Sequence, residues 1–198
     1  LYRLTQKDFK TPLISAAALA LLVIGALNTG NNHYSGKEMS TLLVQGNIKQ
    51  HLRFEPSEFW TTMSKYQDLT RPHWDADLVV WPEAAVPEIE ALADTYLANL
   101  DSAASFNKTA LVTGIVDYQL DTKTIYNTLI VVGNKEHNDE RGHYRYLDKN
   151  RYRKHQLLPI GEFVPFQDIL RPIAPLFDLP MSSFTRGDRV QNNLRANG

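Results

Sequence analysis

The sequence predicts an α/β domain, a mixed sheet with helices stacked on one face, preceded by one transmembrane helix. Three observations carry this. An uncharged apolar run occupies positions 13–27. From Thr41 to Val116, short apolar runs alternate with helically periodic stretches. Beyond them, strands follow one another with no helix between. Strand–helix–strand–helix–strand followed by further strands gives a mixed sheet with helices layered against it.

The run from Leu13 to Leu27 is interrupted only mildly, by Ser15 and Gly25. A spanning helix needs about 20 apolar residues, with a lower limit near 17. Thr11 and Pro12 lengthen the run at one end, Asn28 and Thr29 at the other, and Lys10 can snorkel to the headgroups. The span expected is about 12–28, at the end of a membrane region over 1–30. Arg3, Lys7 and Lys10 precede it and only Lys37 follows closely. That bias places the N-terminal side in the cytoplasm and everything after residue 30 outside.

Two other readings fit the same run. A signal peptide has the same charged start and apolar centre, although Ala26-Leu27-Asn28 is a poor small-x-small cleavage site. A buried core helix of a soluble protein is the second. Leu1 in place of Met, and the ending Arg195-Ala196-Asn197-Gly198, lead us to expect an excerpt of a longer protein.

The soluble part is expected over 40–198. Thr41 to Gly46 reads as a short buried strand. Pro56 to Leu69 carries Phe59, Met63 and Tyr66 at helical spacing. Leu78 to Trp81 is a second strand. Pro87 to Phe106 reads as a helix, with Ile89, Leu92, Ala93, Tyr96, Leu97 and Leu100 on one face. Ala110 to Val116 and Ile125 to Val132 are the third and fourth strands. Gly142 to Lys149 reads as a fifth, alternating Tyr144 and Tyr146 with Arg145 and Leu147. The first three strands are apolar nearly throughout, as strands covered on both sides are. Tyr118 to Lys123 and Asn134 to Arg141 are polar connections.

Pro165 to Phe184 differs from the rest. It is rich in large apolar residues, yet Pro165, Pro172, Pro175 and Pro180 prevent a long regular helix. Such a segment is either buried by the core or faces something apolar.

Composition narrows the chemistry. A net charge of −1 over 198 residues gives no general attraction to nucleic acid. There is no cysteine, hence neither a disulfide nor a thiolate metal site, and the six histidines are scattered singly. No metal and no cofactor are expected. Three charged residues stand out. Glu83, in Trp81-Pro82-Glu83, leaves the end of a buried strand, where open α/β sheets place their sites; it could equally open the next helix, favoured by its dipole. Lys154 ends the basic run 149–155, which could be a solvated strand end or a headgroup patch. Glu162 lies in an otherwise apolar stretch. It needs a partner, and a structural salt bridge would satisfy it. Brought together, the three would form a site for acyl-transfer chemistry that lacks a nucleophile.

These pieces resemble the nitrilase (carbon–nitrogen hydrolase) superfamily, and within it the bacterial inner-membrane branch that acylates lipoproteins. The resemblance runs from Leu42 onward. It includes Val44-Gln45-Gly46-Asn47-Ile48, Trp81-Pro82-Glu83, Tyr152-Arg153-Lys154-His155, Leu158 to Pro165, and Asp178-Leu179-Pro180-Met181-Ser182-Ser183-Phe184. It implies a nitrilase-like αββα sandwich, incomplete here, over 40–198. It also implies a Glu–Lys–Cys triad with Glu83 as general base, Lys154 beside the oxyanion and Glu162 as the accessory glutamate. The cysteine is expected shortly after Ala196-Asn197-Gly198, so these residues alone should be inert. Phe54 stands where the family often has Trp.

The implied reaction moves an acyl chain from a phospholipid, through a cysteine thioester, to the N-terminal amine of a lipoprotein's diacylglyceryl cysteine. The soluble domain would then face the periplasm from the inner membrane. Phe54, Leu176 and Phe177 are expected to contact the acyl substrate, the last two on a lid over 165–184 that dips toward the bilayer. Phospholipid, lipoprotein and membrane are the expected partners, with no nucleic acid. A membrane-tethered amidase acting on small C–N substrates, or an inactive binding module of the same fold, are the competing readings.

Overall fold

The computed structural model describes residues 10–28, 38–135, 144–159, 161–163 and 184–198. The chain divides into two units, Leu1–Glu38 and Met39–Gly198. The first contains helix α1, Lys10–Asn28. Among the described residues it is the one helix long and apolar enough to cross a membrane, with mean hydropathy 1.9 over Lys10–Leu27.

The second unit is built on five strands, β1 (Thr41–Leu43), β2 (Leu78–Val80), β3 (Ala110–Gln119), β4 (Thr124–Gly133) and β5 (Arg151–Arg153), and two helices, α2 (Phe59–Thr70) and α3 (Asp94–Phe106). Strand order follows chain order. The first three strands run parallel; β4 adds antiparallel to β3, and β5 antiparallel to β4. Parallel neighbours need a crossover, and α2 and α3 supply the two.

Alternation along the strands divides the sheet into two faces. Val79, Leu111, Ile115, Ile130 and Val132 pack with Met63 and Tyr66 of α2 and with Leu97, Leu100 and Ala104 of α3. Trp81 closes this core. Its ring lies 5.3 Å from that of Tyr66, and its indole N–H donates to Thr70 Oγ1 at 2.9 Å. The other face is covered less. Val80, Val112 and Leu129 are half-buried and Leu43 is exposed, so the first strands are not covered evenly on both sides.

Two predicted elements are corrected. The helix expected over 87–106 begins only at Asp94. Residues 86–90 instead run beside β3: Val86 N–H donates to Gly114 O and Glu90 N–H to Val116 O, at 3.2 and 2.9 Å. Strand pairing at the free edge of β3 outweighs the helical spacing of Ile89 and Leu92. The fifth strand lies at 151–153, not over 142–149. Residues 144–149 form a turn, with Leu147 at φ 59° and Asp148 N–H donating to Arg145 O at 3.1 Å. Asp148 also accepts from Asn150 N–H and Lys135 Nζ, which fixes the turn. The first strand is shorter than read, although Val44 N–H still bonds Val80 O at 3.0 Å. Positions 164–183, and with them Leu176, Phe177 and the expected lid, lie outside the described residues.

Candidate active site

Glu83 stands on a tight turn directly after β2. Ala85 N–H donates to Pro82 O at 3.2 Å, and Ala84 takes the left-handed conformation at φ 50°. A non-glycine residue there costs energy and persists only where its surroundings hold it. Gly114 of β3 makes room for this turn. A Cβ at Gly114 would stand 2.5 Å from Ala84 N and 2.8 Å from Glu83 Cα.

Lys154 follows β5 directly, with its N–H donating to Asn127 O at 2.8 Å. Glu162 lies on a turn beyond it. Its Oε2 accepts from Leu158 N–H at 2.8 Å, and its own N–H donates to Leu158 O at 2.9 Å.

The three side chains meet. Lys154 Nζ is 2.9 Å from Glu162 Oε1 and 3.5 Å from Glu83 Oε1, across 71 positions of sequence in the second case. The Glu83 side chain is 53% exposed and that of Glu162 11%, so one carboxylate faces outward while the other backs the site.

Asn127 joins the two carboxylates, a role the sequence reading missed. Its Nδ2 donates to Glu83 Oε1 at 2.5 Å and to Glu162 Oε1 at 2.8 Å. The available signal was a carboxamide inside the run read as the fourth strand, Ile125 to Val132. Register places it opposite Val116, on the face away from the helices.

Charge tunes the cluster. Partial burial would push the Lys154 ammonium down. The hydrogen bond to Glu162 and the charges of Glu83 and Glu162 outweigh it, so its pKa lies above lysine's ordinary value. Burial likewise opposes ionisation of Glu162. The Leu158 amide, Lys154 and Asn127 together prevail and hold its carboxyl below the usual range. Lys154 is therefore a fixed ammonium, suited to stabilising an oxyanion, and Glu162 a fixed carboxylate.

On the helix-covered face behind Lys154 lies a buried ion network. Arg151 makes a two-pronged contact with Glu90, at 2.6 and 3.0 Å, and Arg153 reaches Asp117 at 2.8 Å. Glu90 and Asp117 are fully buried. Tyr144 O–H donates to Glu90 at 3.1 Å, and the Arg153 guanidinium stacks on Tyr126 at 4.3 Å. Sequence reading placed Glu90 on an ordinary helix and so missed this network. Phe54 sits in a turn, 55% exposed, and among the described residues its ring stacks on no other ring or cation.

A carboxylate just after a parallel strand, a lysine 3.5 Å away and a second carboxylate behind it thus stand together on a mixed sheet. Residues 43–190 match the sequence model of the carbon–nitrogen hydrolase family, and the chain belongs to that family. Among curated proteins it is similar to one from Photobacterium profundum named apolipoprotein N-acyltransferase, 53% identical over 82% of this chain and 30% of that protein. A protein of the same name from Shewanella oneidensis is 45% identical over 97% of this chain and 37% of its own length. The chain thus spans about a third of these relatives. A solved carbon–nitrogen hydrolase from Helicobacter pylori aligns over 76% of this chain and 45% of that one, at 15% identity and TM-score 0.44.

Proposed function

We propose that the parent protein transfers a fatty acyl chain from a phospholipid to the N-terminal amine of a diacylglyceryl-cysteine lipoprotein, through a cysteine thioester. The observation that carries this reading is the convergence of Glu83, Lys154 and Glu162, in a chain whose curated relatives are named apolipoprotein N-acyltransferase. These 198 residues contain no cysteine, so the nucleophile belongs to the remainder of the parent. The expected setting is the inner membrane, anchored by α1, with the 40–198 domain on the periplasmic side. The bias of Arg3, Lys7 and Lys10 supports that orientation.

In the first half-reaction Glu83, the more exposed carboxylate, takes the thiol proton. The thiolate attacks the donor's ester carbonyl carbon. Charge gathers on the carbonyl oxygen, where the Lys154 ammonium receives it. Collapse breaks the bond to the glycerol oxygen, which leaves with the proton held by Glu83. In the second half-reaction the lipoprotein amine attacks the thioester, Glu83 accepts an amine proton, and the thiolate leaves. Bond making and breaking balance in both halves, and no ATP is required. Glu162 and Asn127 hold Lys154 and Glu83 at their working separation.

The experiment is acyl transfer by the full-length parent carrying Lys154→Ala or Glu83→Ala, with membrane insertion followed in parallel. Each substitution should lower transfer by at least about 10²–10³ fold, the loss typical of a missing oxyanion donor, and leave insertion intact. Near-normal acylation by either variant would contradict the reading.

A further inference from the structure

Arg186 lies beside the site without joining its hydrogen bonds. The backbone around it is tied on three sides. Phe184 N–H donates to Glu162 O at 2.7 Å, Thr185 N–H to Ile125 O at 2.6 Å and Gly187 N–H to Lys154 O at 3.0 Å. Such an approach demands a glycine at position 187, where a Cβ would stand 2.2 Å from Arg153 O. The guanidinium carbon of Arg186 is 4.7 Å from the ring centroid of Phe163, the residue after Glu162. Among the described residues no carboxylate pairs with it, and the residue is exposed. Stacking on a ring fixes the guanidinium plane while its N–H edges stay available for another ligand.

We infer that Arg186 binds the phosphate of the acyl donor's headgroup while the donor's ester lies against Glu83 and Lys154. The inference rests on the phospholipid reading above. Two carboxylates against one ammonium give the site itself a net negative charge, which repels an approaching phosphodiester. A cation held at its edge reverses that repulsion. A planar guanidinium also matches two phosphate oxygens at once, as a lysine would not. Free inorganic phosphate has the same chemistry, so the test must separate the two.

The test uses the full-length parent as wild type, Arg186→Gln and Arg186→Lys, following acyl-enzyme formation. One donor is a diacyl phospholipid in vesicles, the other a phosphate-free p-nitrophenyl acyl ester. Arg186→Gln should raise KM for the phospholipid roughly tenfold, the scale of one lost charge-assisted contact. Its kcat and KM with the ester should stay within about twofold of wild type, since those steps use no phosphate contact. Arg186→Lys should fall between. Equal losses with both donors would make Arg186 a structural residue only and overturn the inference, as would an unchanged KM for the phospholipid. Wild-type binding of inorganic phosphate alone at Arg186, strong enough to block the phospholipid at low millimolar levels, would assign the site to free phosphate instead. A wild type that accepts acyl chains from the ester and never from phospholipid would overturn the donor reading itself, and the inference with it.

Discussion

Asn127 is the residue on which the site's geometry turns. One amide nitrogen bridges Glu83 and Glu162, holding two carboxylates close enough to share Lys154. Asn127→Asp would add a third carboxylate where an amide donated. The expected outcome in the full-length parent is a fall in kcat deeper than that of Asn127→Ala, because an added like charge repels the two carboxylates that the amide joined. Equal kcat values for the two variants, or a kcat at the wild-type level in either, would contradict the bridging role. Glu162 makes a second prediction. Its folded pKa is depressed, so its stabilisation is present above the ordinary carboxylate value and is lost as pH falls through the folded one. The gap in denaturation midpoint between wild type and Glu162→Gln should therefore be widest near neutral pH and close on acidification. Lys154 has the opposite sign. Its raised pKa gives stabilisation that is present below lysine's ordinary value and lost only as pH rises through the folded one.

At the scale of elements, the site depends on two backbone approaches and one buried network. Gly114→Ala would drive a methyl into the Glu83 turn, since the nearest backbone atoms lie at 2.5 and 2.8 Å. Overpacking of this kind costs about 1–3 kcal/mol. Activity should fall further than stability alone explains, because the displaced group is the proposed general base. Circular dichroism melts alongside transfer assays would check this. The Arg151–Glu90 pair anchors β5, and hence Lys154, from the opposite face of the sheet. Arg151→Met should destabilise by about 3–5 kcal/mol, because it leaves a buried carboxylate without its counter-ion. Adding Glu90→Leu should restore most of the loss. A double variant no more stable than Arg151→Met would show that the unpaired charge is not the cause.

At the scale of the whole molecule, the parallel-then-antiparallel sheet was legible because apolar runs such as Leu78–Val80 and Ala110–Val116 are short, pure and separated by helical spacing. Glu83 stood out because it leaves the end of such a run, and Lys154 because it ends the basic run 149–155. What stayed hidden depended on partners distant in sequence. Ile89 and Leu92 carry helical spacing, yet residues 86–90 pair with β3, and no local pattern records that competition. Glu90 fell within the helix expected over 87–106, and its partner Arg151 comes from 61 positions away. Asn127 was visible as a polar residue in a strand, but its two acceptors come from separate loops.

The chain brings the carboxylates of Glu83 and Glu162 together around the Lys154 ammonium, and the central claim is that they drive thioester formation in the parent protein. Intact-mass and peptide mass spectrometry of the full-length parent, incubated with phospholipid and no lipoprotein acceptor, tests this most directly. The account predicts one acyl chain on a cysteine, released by neutral hydroxylamine, and no adduct in Lys154→Ala or Glu83→Ala within the same time. An adduct that forms at the wild-type rate in either variant, or a wild type that never acquires one, would contradict it.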